Sequence, residues 1–458
     1  MRVLGPWATA AIVVGTMIGT GIFLKPAEMA QVAGASGVVF AAWIAGGVLS
    51  MFGALSYAEL GAAIPEAGGE YAYLSRGFGP VWGFLFGWMH SIVGRPASAA
   101  SIAAGLLRFA AFLFPVVATP IFTVHFAMPF GTGHSGAFVF TWAQPLAVGV
   151  LILMTFINYL GVRLGGEVQV VLTFLKIAAV LAIIGLGFLL AHGSASNFHP
   201  VWPSGISWGT MAGFWAALAA ALWAYDGWED LNLVGSEIRN PERNIPLALI
   251  AGVAFVAVIF ILFSAVCFYA LPVAAVAASQ HVASDVFQSF AGHQAALWIT
   301  LVMVISALGT LNSSVLSGAR VDYAMARDGL FFRVAAKIHP KFRTPGNALV
   351  FQCVLASLMA LSGTFEDLTS LFIFSTWIFY GLAVCALIRL RRTEPDMPRP
   401  YKTWGYPVVP ILFVTGALAL TVTLWIARPV RSSIGFVLIL LGLIFYRYWQ
   451  KRLQKAAA

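Results

Sequence analysis

Long apolar runs separated by short polar connections dominate the chain, and each is long enough to cross the ~30 Å hydrocarbon core of a bilayer as a helix. They start near residues 7, 37, 80, 143, 167, 208, 245, 294, 346, 367, 405 and 432. The pattern predicts an all-α integral membrane protein of about twelve spans, because lipid offers backbone groups no partner outside a helix or a closed barrel, whose strands are much shorter. Composition agrees: 60% of the 458 residues are hydrophobic and 9% charged. A soluble domain carries roughly a quarter charged residues. The first apolar run continues past signal-peptide length.

The net charge of +9 would suit nucleic acid in a soluble protein, but its distribution points elsewhere. Lys and Arg fall in alternate connections: Arg76, Arg163, Arg239 and Arg243, Arg327 to Arg343, Arg389 to Lys402, and Arg447 to Lys455. The connections around 112–142, 192–207, 271–293 and 362–366 hold neither. By the positive-inside rule both termini face the cytoplasm of a cell whose plasma membrane the chain spans, with Arg428 and Arg431 as the exception. Membrane lipid is therefore an expected partner and nucleic acid is not. Cys267, Cys353 and Cys385 fall inside apolar runs and read as packing residues. His192, His199 and His281 lie on outer loops without metal-ligand spacing, so neither metal nor cofactor is expected.

Two spans break their own pattern. In "GTMIGTGIF" three glycines and two threonines interrupt the first apolar run. Small residues at this spacing suit either close helix packing or an unwound segment that exposes backbone to a solute. In the sixth span, "LWAYDGWEDLN" places Asp226, Gly227, Glu229 and Asp230 in an aromatic helix. A carboxylate at membrane depth costs ~2.5 kcal/mol or more, so Asp226 is expected to face a polar cavity, whereas Asp230 reads as interfacial and Glu229 is left open. If residues 1–192 and 193–393 are two five-span repeats, the odd number inverts the second, and spans one and six become equivalent. Residues 394–458 then add two helices and a tail. Free N–H groups after Gly19 would take a carboxylate, while free carbonyls of the first half-helix and of 223–226 would take an ammonium. A zwitterion needs both, which points to an amino acid.

These stretches, with "SYAELGAAIPEAGGEYAYL", "GRPASAASIAAGLL", "EIRNPERNIPLAL", "ALGTLNSSVLSGARVDYAMARDG" and "EPDMPRPYKTWGYPVVPI", resemble the amino acid–polyamine–organocation superfamily. Within it the chain is similar to the L-type amino acid transporters, bacterial exchangers included. The resemblance implies a five-plus-five inverted-repeat core with discontinuous helices one and six. It implies a substrate site built from Met17, Ile18, Gly19, Thr20, Gly21, Trp223, Ala224, Tyr225, Asp226 and Gly227. Thr20 and Gly21 would hold the carboxylate, and the carbonyls of Met17, Trp223 and Ala224 the amino group. Trp223, Asp226 and Glu229 would gate or couple, and Ile102 and Asn312 are candidate cavity-lining positions. Lys176, flanked by apolar residues in "LTFLKIAAVL", would replace the ion of sodium-coupled relatives and bridge the first and eighth helices.

Arg95 and Pro96 read as structural, and Lys25 and Glu28 as interfacial. The loop at 115–142 lacks the cysteine that joins animal members to a heavy chain, so no disulfide-linked partner is expected. The sequence therefore points to sodium-independent exchange of neutral L-amino acids. A proton-coupled symporter using Asp226, Glu229 or Lys176 is the alternative, and an amino acid-sensing receptor a more distant one. An enzyme is not expected, since no nucleophile–base pair or metal cluster is readable.

Overall fold

A computed structural model describes residues 2–127, 135–191, 193–205, 207–362 and 365–457, which leaves His192 outside the described residues. Each apolar run forms a helix, and Gly or Pro marks most of the ends. α1 (Pro6–Met17) and α2 (Thr20–Ala33) form one interrupted line, and α3 (Ser36–Ala63) runs back beside it. The short amphipathic α4 (Glu70–Phe78) precedes α5 (Pro80–Met89), which passes through a widened turn at His90–Gly94 into α6 (Arg95–Leu113). α7 (Ala143–Tyr159) and α8 (Val162–Leu190) follow. The second interrupted line is α9 (Trp208–Tyr225) with the single turn α10 (Asp230–Leu233). Beyond it come α11 (Pro241–Ala270), α12 (Val273–Ala278) and the long α13 (Val282–Arg327), which kinks at Gly292 where φ is 77°. α14 (Gly346–Ser362), α15 (Phe365–Thr393), α16 (Val408–Ala427) and α17 (Pro429–Ala457) complete the bundle.

Among the described residues, nine helices or joined helix pairs are long and apolar enough to span a bilayer; α7 and α14 are shorter apolar helices. Trp7, Phe174, Leu189, Trp208 and Ile426 stand mostly exposed on the outside of the bundle, as lipid-facing residues should. One feature departs from the all-helical expectation. Pro120–Ala127 (β1) and Ser135–Thr141 (β2) pair antiparallel, with Phe122 opposite Phe140. The run "PIFTVHFA" is rich in β-branched and aromatic residues, which favour a pleated strand once the chain has left the helices.

Both ends of the described chain lie at one face of the bundle, here termed the terminal face. The Leu4 N–H donates to the Glu237 carbonyl at 2.9 Å, and the Arg239 N–H returns a bond to the Leu4 carbonyl at 2.9 Å. Near the other end, Trp449 packs edge-on against Phe332. At the opposite face, the Ser36 and Gly37 N–H groups donate to the carbonyls of Pro200 and Val201.

Candidate functional site: a closed cavity between two broken helices

The first break has a steric origin. α1 stops at Met17, and Ile18 and Gly19 leave helical geometry before α2 begins at Thr20. A Cβ on Gly19 would lie 2.7 Å from Thr310 Oγ1, and one on Gly21 would lie 2.9 Å from the Ala224 Cα. Only glycine allows these helices to approach so closely. The carbonyls of Gly15 and Ile18 are satisfied from the side: Lys176 Nζ donates to each at 2.8 Å and to Thr310 Oγ1 at 3.1 Å. An ammonium has three protons, and all three have acceptors here. Thr310 Oγ1 lies 3.2 Å from both carbonyls, and Ser306 donates to Ile18 at 3.3 Å. Lys176 is thus a buried staple between α1, α8 and α13.

The second break carries the charge. Asp226 is extended (φ −62°, ψ 150°), and Gly227 has φ 108°, a conformation that favours glycine. A Cβ on Gly227 would also lie 2.4 Å from Thr16 Cγ2. Tyr380 donates to Asp226 Oδ1 at 3.0 Å, and the Gly227 N–H donates to Glu229 Oε2 at 3.1 Å. Arg95, the first residue of α6, forks onto Asp230 through both terminal nitrogens and donates to Ser314 Oγ at 3.2 Å. Two-pronged geometry is what guanidinium and carboxylate favour when both leave water.

Between the breaks lies a cavity of about 30 Å³, enough for roughly two waters. The first break contributes Thr16, Met17, Gly19, Thr20 and Gly21 to its wall, and the second Trp223, Ala224 and Asp226. Arg95, Ser98 and Ile102 of α6, Thr310 and Ser314 of α13, and Phe372 of α15 complete it. The N-terminal turn of α2 borders the cavity, where a helix leaves its first N–H groups without internal acceptors. Thr20 Oγ1, beside them, is buried with no hydrogen-bond partner among the described residues. Opposite stands the C-terminal end of α9, where the final carbonyls lose their i+4 donors, although that of Trp223 accepts from the Asp226 N–H at 3.3 Å. One wall therefore suits an anionic oxygen and the other an ammonium. Toward the far face, Lys25 Nζ stands 4.8 Å from the Trp223 ring centre and 2.5 Å from Glu28. On the terminal side, Arg320 and Glu237, paired at 3.0 Å, line a vestibule of about 830 Å³, and the Leu4 bridge to Glu237 lies beside it.

Met17, Gly19, Thr20, Gly21, Ile102, Trp223, Ala224 and Asp226 are brought together as cavity wall. Ile18 offers its carbonyl to Lys176 instead. The Tyr225 ring turns away to Trp43, whose carbonyl its hydroxyl reaches at 3.1 Å. Glu229 is buried beneath the cavity. Three readings of the sequence are corrected. Asp230 is not interfacial but wholly buried, because Arg95 supplies its counter-charge from 135 residues away. Lys25 is likewise buried, held between Glu28 and the Trp223 face. Asn312 does not line the cavity; its amide donates to Gln169 Oε1 at 3.0 Å and accepts from Asn158 at 2.8 Å, tying α13 to α8 and α7. Thr310, Ser98, Phe372 and Tyr380 were missed; Thr310, Ser98 and Tyr380 signal themselves only as polar residues in an apolar helix, and Phe372, one aromatic among many, carries no signal.

The amino acid permease family matches residues 4–446 of the chain. The b(0,+)-type amino acid transporter 1 of Mus musculus is 34% identical over 441 residues, covering 95% of this chain and 85% of that protein. The cystine/glutamate transporter of Homo sapiens is 32% identical over 446 residues, covering 96% and 84%. The serine/threonine exchanger SteT of Bacillus subtilis (strain 168) is 32% identical over 452 residues, covering 96% and 95%. A match across nearly the whole length, on a helical bundle whose two broken members enclose a polar cavity, makes this multi-pass membrane protein a member of the amino acid permease family, within the amino acid–polyamine–organocation superfamily.

Proposed function

We propose that the protein exchanges amino acids across the plasma membrane, without sodium, and that its substrates are neutral L-amino acids. The observation that carries this reading is the opposition of two helix ends across one closed cavity. The α-carboxylate is held by the first-turn N–H groups of α2 and the Thr20 hydroxyl, and the α-ammonium by carbonyls at the end of α9 and by Met17. Trp223 closes the far side, steadied by Lys25, a cation–π contact that is worth about 2 kcal/mol when desolvated. Exit to the terminal face requires the Leu4 bridge and the Arg320–Glu237 pair to part. Lys176 occupies the place of a coupling ion, and its three bonds make the first break rigid whether or not sodium is present.

The two breaks support the reading of 1–192 and 193–393 as inverted repeats, with 394–458 appended. Basic residues crowd the terminal face, which supports cytoplasmic termini. Cys267, Cys353 and Cys385 lie in α11, α14 and α15, positions that offer no attachment for a disulfide-linked heavy chain. The protein acts as a carrier and not as an enzyme. A second reading, proton-coupled symport, is favoured by one observation: Asp226, Glu229 and Asp230 crowd the second break with a single guanidinium.

The deciding experiment is uptake of labelled neutral amino acids into proteoliposomes, empty or preloaded, with sodium or potassium, and with or without an inward proton gradient. Exchange predicts uptake into preloaded vesicles only, equal in both salts. Concentrative uptake into empty vesicles under the proton gradient would overturn exchange in favour of symport.

A further inference from the structure

Below the cavity, toward the terminal face, Glu70 opens α4 directly after Gly68 and Gly69, both at positive φ. It is 1% exposed, and neither carboxylate oxygen has a hydrogen-bond partner among the described residues. The titratable groups that face it come from five elements, with Tyr380 of α15 among them. Tyr57 of α3 and Tyr73 of α4 face it with hydroxyls that are themselves buried and unpartnered. Glu229 and Asp230 face it from the second break, and Arg95 from α6. Arg95 is already committed to Asp230 and Ser314. If Asp226, Glu229, Asp230 and Glu70 were all ionised, four negative charges would meet one positive charge in a closed interior. Like charges sharing a buried site do not all ionise.

The start of α4 and Glu70's own amide favour the ionised form, but burial outweighs them. Burial first, then the Glu229 charge, hold the Glu70 carboxyl well above the usual carboxylate range. Solvent is close. A notch of about 290 Å³ on the terminal face is lined by Glu66, Ala67, Tyr71, Arg327 and Asp328, so it borders the chain on both sides of Glu70.

We propose that Glu70 is a proton-binding site of the carrier, neutral in this closed conformation and exchanging its proton with water in the notch at the terminal face. The carboxyl O–H bond breaks, the electron pair stays on the carboxylate, and the proton passes to a water; uptake reverses each step. A neutral Glu70 can donate toward Glu229 or Tyr57, where an ionised one can only accept. An ionised Glu70 repels Glu229 and Asp230 and competes for Arg95, which loosens α10 and the floor of the cavity. Proton occupancy at Glu70 thereby biases which side of the site opens.

The inference rests on the transport reading for one arm of its test and not for the other. Infrared spectra of the purified protein, taken between about pH 5 and about pH 9, should contain the C=O band of a buried carboxylic acid that is lost in Glu70→Gln and shifted in Tyr57→Phe. Exchange in preloaded vesicles over the same range should depend on pH in the wild type. In Glu70→Gln it should be flat, at the rate the wild type shows in acid. If Glu70→Gln does not fold, the Tyr57→Phe shift decides. A band that neither substitution alters, an unchanged pH profile in Glu70→Gln, or stimulation by sodium in place of protons overturns the proposal. If no protein exchanges amino acids at any pH, the transport reading fails, while the infrared band still decides the proton site.

Discussion

Replacing Gly21 with alanine tests the broken-helix site most directly, because the structure fixes what the new methyl group meets. A Cβ there would stand 2.9 Å from both Cα and Cβ of Ala224 and 3.2 Å from the Trp223 ring. Carbon atoms at ease are ~3.5–4.0 Å apart, so the two helices must separate by roughly 0.6 Å or more. The obstacle at Ala224 is backbone, which cannot rotate aside as a side chain does. Overpacking of this kind costs about 1–3 kcal/mol. If the same helix contact persists in the substrate-holding form and is absent from the open one, that cost weakens binding about 5- to 150-fold. The assay is equilibrium binding of a labelled neutral amino acid to purified protein, with thermal unfolding measured in parallel. Gly185→Ala is the control, since nothing lies within 4 Å of its Cβ. Adding Ala224→Gly to Gly21→Ala removes one of the three close contacts and should restore part of the affinity. Binding by Gly21→Ala within twofold of the wild type would refute the reasoning.

Three further outcomes are expected. Lys176→Met leaves the carbonyls of Ile18 and Gly15 only the hydroxyls of Ser306 and Thr310, at 3.3 and 3.2 Å, and removes charge-assisted hydrogen bonds worth about 1.5–3 kcal/mol each; transport per folded molecule should fall at least tenfold, arginine should not rescue it, and a wild-type rate would end the coupling role. Arg95→Gln leaves Asp230 buried without a counter-charge, at a cost of about 3–5 kcal/mol. Adding Asp230→Asn should recover part of the lost thermal stability, and additive losses would show the pair to be uncoupled. Leu4→Pro removes the N–H that reaches Glu237. A thiol introduced at Ser314 should then react faster with an impermeant reagent from the terminal face, and an unchanged rate would exclude the bridge from that closure.

The sequence carried the helices well, because a run long enough to span lipid has few alternatives. Every start read from the apolar pattern falls within or a few residues from a helix. The breaks were visible as glycines and acids set where lipid tolerates neither. Lys176 was recognisable as buried because apolar residues flank it on both sides. Side-chain partnership was not visible. Asp230 reads as interfacial until Arg95 is seen beside it, and Lys25 until Trp223 and Glu28 are. Asn312 could equally have faced cavity or neighbour, since an amide in an apolar helix needs a partner but does not say which. The paired strands β1 and β2 obey strand propensities that the membrane pattern of the rest had obscured.

The contracted cavity has a consequence for how such a carrier chooses its cargo. Room for about two waters means that its walls yield to any amino acid they enclose, and that they yield more for a bulkier side chain. Selection is then made at the moment of shutting and not at first contact. A large analogue whose backbone docks between the helix ends but whose side chain props Trp223 aside would occupy the protein without crossing. Size would separate cargo from blocker: the two could share one affinity and differ only in whether the door shuts behind them.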